Sequence, residues 1–98
     1  MKIKKIKLLG TRIPVVEVEN LSDNGEILFG QYESRKHIIR INPACKNDGY
    51  IDTLIHEIIH AGSIIQNLDL TESAVKRMTP FIMSLIRENP KLMELITK

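Results

Sequence analysis

Alternating apolar and polar residues predict β-strands in the first 42 residues of the chain. Four segments show this pattern at strand-like length: Lys5–Leu8, Val16–Glu19, Glu26–Glu33 and Lys36–Asn42. Asp23-Asn24-Gly25 is a strong turn signal, and Ser34-Arg35 joins the last two segments as a hairpin. Pro14 indicates a sheet edge or an interruption between strands, because proline cannot donate to a ladder. We therefore expect an antiparallel sheet of three or four strands.

Beyond the strands, apolar residues at helical spacing predict a mostly buried helix over residues 49–66. Asp48 is the expected N-cap and Asn67 the expected end. The polar residues of this helix share a narrower stripe: Thr53, His56, Glu57, His60 and Ser63. Buried polar groups need partners, which for the histidines are either main-chain carbonyls or a metal ion. One face of the sheet should cover this helix.

A second helix is expected to begin near Thr71 and to run back alongside the first. Pro80 should either kink this helix or open a new turn at Phe81, because proline removes a helical hydrogen bond. Asn89-Pro90 marks a further break, which leaves residues 91–97 as a short terminal helix. The predicted fold class is therefore α+β, with a small sheet followed by two antiparallel helices and the short terminal helix.

The pentapeptide His56-Glu57-Ile58-Ile59-His60 has the H-E-x-x-H spacing of catalytic zinc sites. On a helix, His56 and His60 project from the same face, so both imidazoles can reach one ion. Glu57 points to one side of the line from His56 to His60, where it can hydrogen-bond a metal-bound water, as a general base must. The motif therefore predicts Zn²⁺ as cofactor, two histidine ligands and a glutamate base.

A hydrolytic zinc site takes three protein ligands and leaves the fourth position to water. No histidine follows His60, and Glu72 is the best-placed acidic residue, with Asp69 as the fallback. The connection is long enough, since four extended residues return about 13 Å against the ~9 Å from His60 to the helix end. Asp69 and Glu72 also match a capping box, in which Glu72 would only cap the second helix. Thr71 is the competing N-cap, and it would leave Glu72 free to bind metal.

Length, charge and cysteine content exclude several other classes of protein. A chain of 98 residues supports one domain with a single core. The net charge of +2 makes no case for nucleic acid, and no aromatic residues accompany the cations that crowd the start of the chain: Lys2, Lys4, Lys5, Lys7 and Arg12. Cys45 is the only cysteine, so an internal disulfide is impossible. We expect a cytoplasmic protein without a signal peptide or membrane span, because no apolar run is long enough for either.

Residues 56–61, followed after a short loop by residues 70–78, resemble the small zinc metallopeptidase-like proteins of bacteriophages and prophages. The similarity extends upstream through His37–Ile41 and downstream through Arg87–Pro90, and so covers roughly residues 25–95. Those proteins resemble minimal gluzincins, in which a glutamate on the second helix completes the metal site. Ser73 departs from the pattern, because relatives often carry a second acidic residue there.

The resemblance implies a single zincin-like metallopeptidase domain over residues 1–98 that acts on a peptide or protein substrate. It implies the same three ligands, His56, His60 and Glu72. In the implied mechanism, Glu57 takes a proton from a metal-activated water, which attacks the peptide carbonyl, and returns the proton to the leaving amine. The substrate would lie along an edge strand beside the active-site helix, here Lys36–Asn42.

Two other functions remain open on the sequence alone. The first is a non-catalytic zinc-binding module for protein interaction or regulation, in which a fourth ligand closes the site. The second is a metal-free α+β interaction domain. Tyr32 and His37 are candidates for assisting catalysis, although packing or a surface position is the simpler expectation for both. The natural substrate and the oligomeric state are not predicted.

Overall fold

The computed structural model describes residues 2–98, which form an α+β fold of six strands and three helices. The strands are β1 (Lys5–Leu8), β2 (Thr11–Glu17), β3 (Ser22–Asp23), β4 (Glu26–Ile27), β5 (Gly30–Glu33) and β6 (Ile38–Ile41). The helices are α1 (Asp48–Ile65), α2 (Glu72–Glu88) and α3 (Pro90–Ile96). The predicted order, strands first and helices after them, is confirmed.

The main sheet is mixed, which corrects the antiparallel sheet predicted from the sequence. Its four strands follow the order β1-β2-β6-β5. The pairs β1–β2 and β5–β6 are antiparallel, but β2 and β6 run parallel, with Val15 opposite Ile39. The chain between β2 and β6 is long enough for such a crossover, which needs a dozen or more residues. Alternation along the sequence identifies strands, but it does not identify which strands pair.

The strand β6 lies inside the sheet, so the expectation that Lys36–Asn42 forms an edge is wrong. Ile39 and Ile41 of β6 are 0% and 1% exposed, because neighbouring strands and a helix cover them. The outer strand on this side of the sheet is β5. Among residues 2–98, β5 pairs only with β6, and its other edge has no strand partner.

Strands β3 and β4 form a separate two-stranded ribbon around Asn24-Gly25. Both turn residues have positive φ, 51° and 81°, as a tight hairpin turn requires, so the predicted turn is confirmed. The predicted strand Glu26–Glu33 is therefore divided between this ribbon and β5. The predicted hairpin between β5 and β6 is confirmed, with a turn that spans residues 34–37.

Helix α1 agrees with the predicted range to within one residue at each end, but its cap differs. The N-cap residue is Asn47, which has a φ of 55° and makes no side-chain capping bond. The prediction that Asp48 is the cap is wrong, because Asp48 is the first residue of the helix. Its carboxylate instead lies 3.7 Å from the Arg87 guanidinium near the end of α2.

The apolar face of α1 packs on the sheet and forms the core. The buried members of this cluster come from β2, β6, α1 and the segment before α1: Ile13, Val15, Ile39, Ile41, Cys45, Leu54 and Ala61. Gly62 lies where α1 passes the first hairpin, with the Leu8 side chain at ordinary contact distance from its Cβ position. The polar stripe of α1 is consequently left facing β5 and α2 rather than the centre of the core.

Helix α2 begins at Glu72 and is capped by Thr71, whose Oγ1 accepts a hydrogen bond of 3.0 Å from the Ala74 N–H. The Thr71 alternative is therefore confirmed, and the capping box formed by Asp69 and Glu72 is wrong. The start of α2 lies beside the second half of α1 and its end beside Asp48, so the two helices are antiparallel as predicted.

Pro80 lies inside α2 without ending it, so a new turn at Phe81 does not form. Val75 and Met83 are buried on either side of Pro80, and this packing outweighs the helical hydrogen bond that proline lacks. Helix α3 begins at Pro90, one residue before its predicted start. No helix among residues 2–98 combines the length and the apolar composition that crossing a membrane requires.

Candidate metal centre

Helix α1 carries His56 and His60 side by side on the face that approaches α2. Residues four apart on a helix are neighbours, and here the ring centroids are 4.9 Å apart with an angle of 67° between the ring planes. Both side chains are partly buried, at 20% and 27% exposure. The imidazoles are thus held together and remain accessible on one side.

The carboxylate of Glu72 reaches both histidines from the first turn of α2. Its Oε1 lies 2.6 Å from Nε2 of His56, and its Oε2 lies 2.9 Å from Nε2 of His60. Thr71 explains this geometry, because its hydroxyl satisfies the helix terminus and the Glu72 side chain is not needed as a cap. Asp69, the fallback ligand, is exposed and lies outside the group of converging donors.

The donor atoms of these three side chains could hold a metal ion. One atom from each of His56, His60 and Glu72 lies within 4.8 Å of the other two. Two histidines and one glutamate are an established ligand set for catalytic zinc. Within residues 2–98, no fourth His, Cys, Asp or Glu joins the group.

The surroundings of Glu72 favour its ionised form. Partial burial raises the pKa of this carboxyl, but the charges and hydrogen bonds of His56 and His60 outweigh it and hold the pKa below the ordinary value. The side chain is 56% exposed, so water and ions can reach it. A carboxylate binds metal in its ionised form.

Glu57 is in a different environment, although it lies on the same turn of α1. It is 8% exposed, and it is the one charged side chain buried among the residues that the structure describes. Burial first, and then the negative charge of Glu72, raises the pKa of Glu57 to about 7, while a hydrogen bond from the Tyr32 main chain lowers it. A carboxyl group with this pKa can both accept and release a proton near neutral pH, as a general base must.

Gly30 of β5 is a site residue that the sequence analysis missed. A Cβ atom at this position would lie 2.5 Å from Cγ2 of Thr53, and 3.2 and 3.3 Å from Cγ and Oε2 of Glu57. Only glycine lets α1 approach the strand this closely. The sequence contains a signal for this, because a glycine within a strand pattern often marks a close backbone approach.

A cleft of about 870 Å³ contains the three converging donors and Glu57. Its lining comes mainly from β5, α1 and α2, with Phe29 and Pro80 adding apolar surface and Lys76 adding a positive charge. Asn42 fixes the segment before β5, because its side chain donates to the Leu28 carbonyl at 3.1 Å. The volume lies within the range of about 300–1,000 Å³ that small-ligand pockets occupy, so the cleft can hold part of a peptide.

Tyr32 and His37 are brought together by the hairpin between β5 and β6. The Tyr32 hydroxyl and Nδ1 of His37 share a hydrogen bond of 2.7 Å. Tyr32 lines the cleft and packs against the core, and burial raises the pKa of its hydroxyl. In the part of the chain that the structure describes, His37 does not line the cleft. The sequence alone did not indicate that these two residues form a pair.

Comparisons with family models, with curated proteins and with solved structures find no match to this chain. The resemblance to phage zinc metallopeptidase-like proteins therefore remains a prediction from the sequence. What the structure adds is a class of site: two imidazoles and a carboxylate converging beside a second, buried carboxyl group in an open cleft.

Proposed function

We propose that this protein is a zinc-dependent metallopeptidase that hydrolyses a peptide bond with a metal-activated water. The observation that carries the proposal is the convergence of His56, His60 and Glu72 beside the buried Glu57. Three donors alone are equally consistent with a structural ion. The adjacent carboxyl group with a raised pKa, open to the same cleft, favours catalysis.

Each of the four side chains has a distinct role in this proposal. His56, His60 and Glu72 hold the ion, the imidazoles as neutral ligands and the carboxylate in its ionised form. Zinc, when bound, lowers the pKa of water towards neutrality and stabilises negative charge on a carbonyl oxygen. Glu57 accepts the proton of the attacking water and delivers it to the leaving amine.

The free edge of β5 supports a peptide as the substrate. Gly30, Gln31 and Tyr32 line the cleft, and the main-chain groups on their outer side have no strand partner among residues 2–98. An extended peptide can add to such an edge through main-chain hydrogen bonds. This places the substrate beside β5 rather than beside Lys36–Asn42. Main-chain pairing selects little by side chain, so the proposal does not extend to a particular sequence.

Metal analysis of the untreated protein, with matched variants, tests the ligand set. We expect about one zinc per chain in the wild type, and loss of zinc in Glu72→Ala and His60→Ala, because each removes one of three ligands. Asp69→Ala is the control: it removes a nearby carboxylate outside the converging group and should keep its zinc. Zinc retained in Glu72→Ala but lost in Asp69→Ala would transfer the third-ligand role to Asp69.

Hydrolysis of a fluorescently labelled unfolded protein such as casein, or of a labelled peptide library, tests the catalytic role. Glu57→Gln keeps nearly the same shape but cannot take a proton, so it should bind zinc, fold and lose activity. Equal activity in Glu57→Gln would remove Glu57 as the base. A wild type that binds zinc but cleaves no probe would instead favour the non-catalytic zinc module, and one without zinc would favour the metal-free interaction domain.

A further inference from the structure

Strand β5 lies close to the Glu57 side chain at two points along its length. At Gly30, the carboxylate oxygen Oε2 lies 3.3 Å from the position a Cβ would take. At Tyr32, the main chain faces the carboxylate and lowers its pKa. The direction in which Glu57 points therefore depends on where this strand lies relative to α1. An outer strand has a hydrogen-bonded neighbour on one side only.

The Tyr32 side chain connects the strand to the hairpin turn. Tyr32 lies opposite Ile39 of β6, which is fully buried, and its ring packs against the core. Its hydroxyl is bonded to Nδ1 of His37 at 2.7 Å, and the ring centroids are 6.3 Å apart. Tyr32 is thus fixed at both ends, by the core near its backbone and by His37 at its tip.

His37 adopts a backbone conformation that residues other than glycine take infrequently. Its φ is 51°, in the left-handed region, which disfavours residues with a Cβ atom. Glycine would relieve this strain but would have no ring to bond Tyr32. A strained residue that makes a specific hydrogen bond next to a candidate site suggests a role in that site.

We propose that Tyr32 and His37 are positioning residues: their hydrogen bond holds β5 to the hairpin turn and so orients the Glu57 carboxylate for proton transfer. The inference rests on the proposed function for its catalytic consequence. Its structural part, that the pair fixes the strand against Glu57, stands independently. Neither residue needs to contact the reacting atoms, and His37 is not among the described residues that line the cleft.

Two variants break the pair in different ways. Tyr32→Phe removes the hydroxyl and keeps the ring in the core, whereas His37→Gly removes the imidazole and relieves the positive φ. Arg35→Ala is the matched control, because it changes an exposed residue of the same turn. A merely structural role for His37 predicts that His37→Gly is neutral or stabilising, since the strain is lost while the packing of the core is kept.

The first measurement is amide hydrogen exchange at residue 32 in the metal-free protein, which needs no catalytic activity. We expect exchange at this amide to become about fivefold faster in Tyr32→Phe and in His37→Gly, corresponding to the loss of one typical hydrogen bond, and to be unchanged in Arg35→Ala. The double variant should exchange no faster than either single one, because the two residues act as a unit. Unchanged exchange in both single variants overturns the proposal.

The second measurement is steady-state hydrolysis of the labelled probe with zinc loaded. We expect kcat to fall about fivefold in both variants, with zinc content and KM unchanged, because the base is misdirected while the substrate and metal contacts remain. A rise in KM with unchanged kcat would make Tyr32 a substrate contact instead and overturn the positioning role. If the wild type cleaves nothing, the proposed function fails, and the exchange experiment still decides whether the pair fixes the strand.

Discussion

Replacing Gly30 with alanine should destabilise the protein because it forces apart two elements in close contact. The new Cβ would lie 2.5 Å from Cγ2 of Thr53, about 1 Å inside the ordinary carbon–carbon contact distance of about 3.5–4.0 Å. Thr53 cannot easily turn away, since its hydroxyl is 3.2 Å from the sulfur of the buried Cys45 and its branched side chain is stiff. Overpacking of this kind costs about 1–3 kcal/mol, and we expect about 2 kcal/mol.

Urea denaturation of the metal-free protein measures this cost directly. At an m-value of about 1–1.5 kcal/mol/M, typical of a small domain, a loss of 2 kcal/mol lowers the midpoint by roughly 1.5 M. Gly62→Ala is the control: its Cβ would lie 3.6 Å from Leu8, an ordinary contact, and alanine favours the helix by about 1 kcal/mol over glycine. If Gly30→Ala unfolds at the same urea concentration as the wild type, α1 does not lie as close to β5 as the 2.5 Å distance requires.

The same substitution should affect catalysis before it affects metal binding. The alanine methyl group would press on the Cγ and Oε2 atoms of Glu57, whereas none of the three metal ligands is among the atoms nearest to it. We therefore expect Gly30→Ala to retain zinc and to lose at least tenfold in kcat, because an error of about 1 Å in a catalytic group is costly. If Gly30→Ala lost zinc as well as activity, the expectation that it disturbs Glu57 but not the metal ligands would be contradicted.

Two further predictions concern the glutamates and the start of α2. Thr71→Ala should lower the free energy of unfolding by about 1 kcal/mol, because it removes the cap of α2, and should weaken zinc binding, because Glu72 follows directly. Ser73→Ala changes an exposed neighbour and should have neither effect. Calorimetry measures the stability, and zinc titration measures the binding. Glu57→Gln should stabilise the metal-free protein, and the gain should grow as the pH rises from 4.5 to 7, because ionisation of the buried Glu57 carboxyl disfavours folding of the wild type across that window. The gain in unfolding free energy should level off at about 3 kcal/mol by pH 8. Urea unfolding measures the free energy of unfolding of variant and wild type at pH 4 and at pH 8. If the difference between the two proteins is the same at both pH values, the raised pKa of Glu57 is contradicted.

The helices were predictable because their signals are long and local. Helix α1 extends over 18 residues of regular apolar spacing, and its boundaries were found to within one residue. The position of Glu72 followed from a short loop and from the small number of acidic residues after His60. The choice between Thr71 and Asp69 as cap remained open, because both match a capping pattern and only their spatial neighbours distinguish them.

The order of the strands was not predictable by the same reasoning. Alternation shows that each strand has a buried face, but an apolar face such as that of Ile39 and Ile41 is expected in an inner strand and in an outer strand alike. What decides the order is the crossover that brings β6 between β2 and β5, and no local signal encodes it. The error matters for function, because it moves the free edge, and with it the proposed substrate position, from residues 36–42 to β5.

Glu57 and Glu72 show why the site needed the structure as well as the motif. Both are glutamates near the same two imidazoles, yet one has a raised pKa and the other a lowered one. The difference comes from where each is placed: Glu57 is pressed between α1 and β5, and Glu72 stands at the exposed start of α2 beside two nitrogen donors. The environment of each carboxyl group, rather than its residue type, separates a proton carrier from a metal ligand. The three elements β5, α1 and α2 must therefore meet before either glutamate can take the role proposed for it.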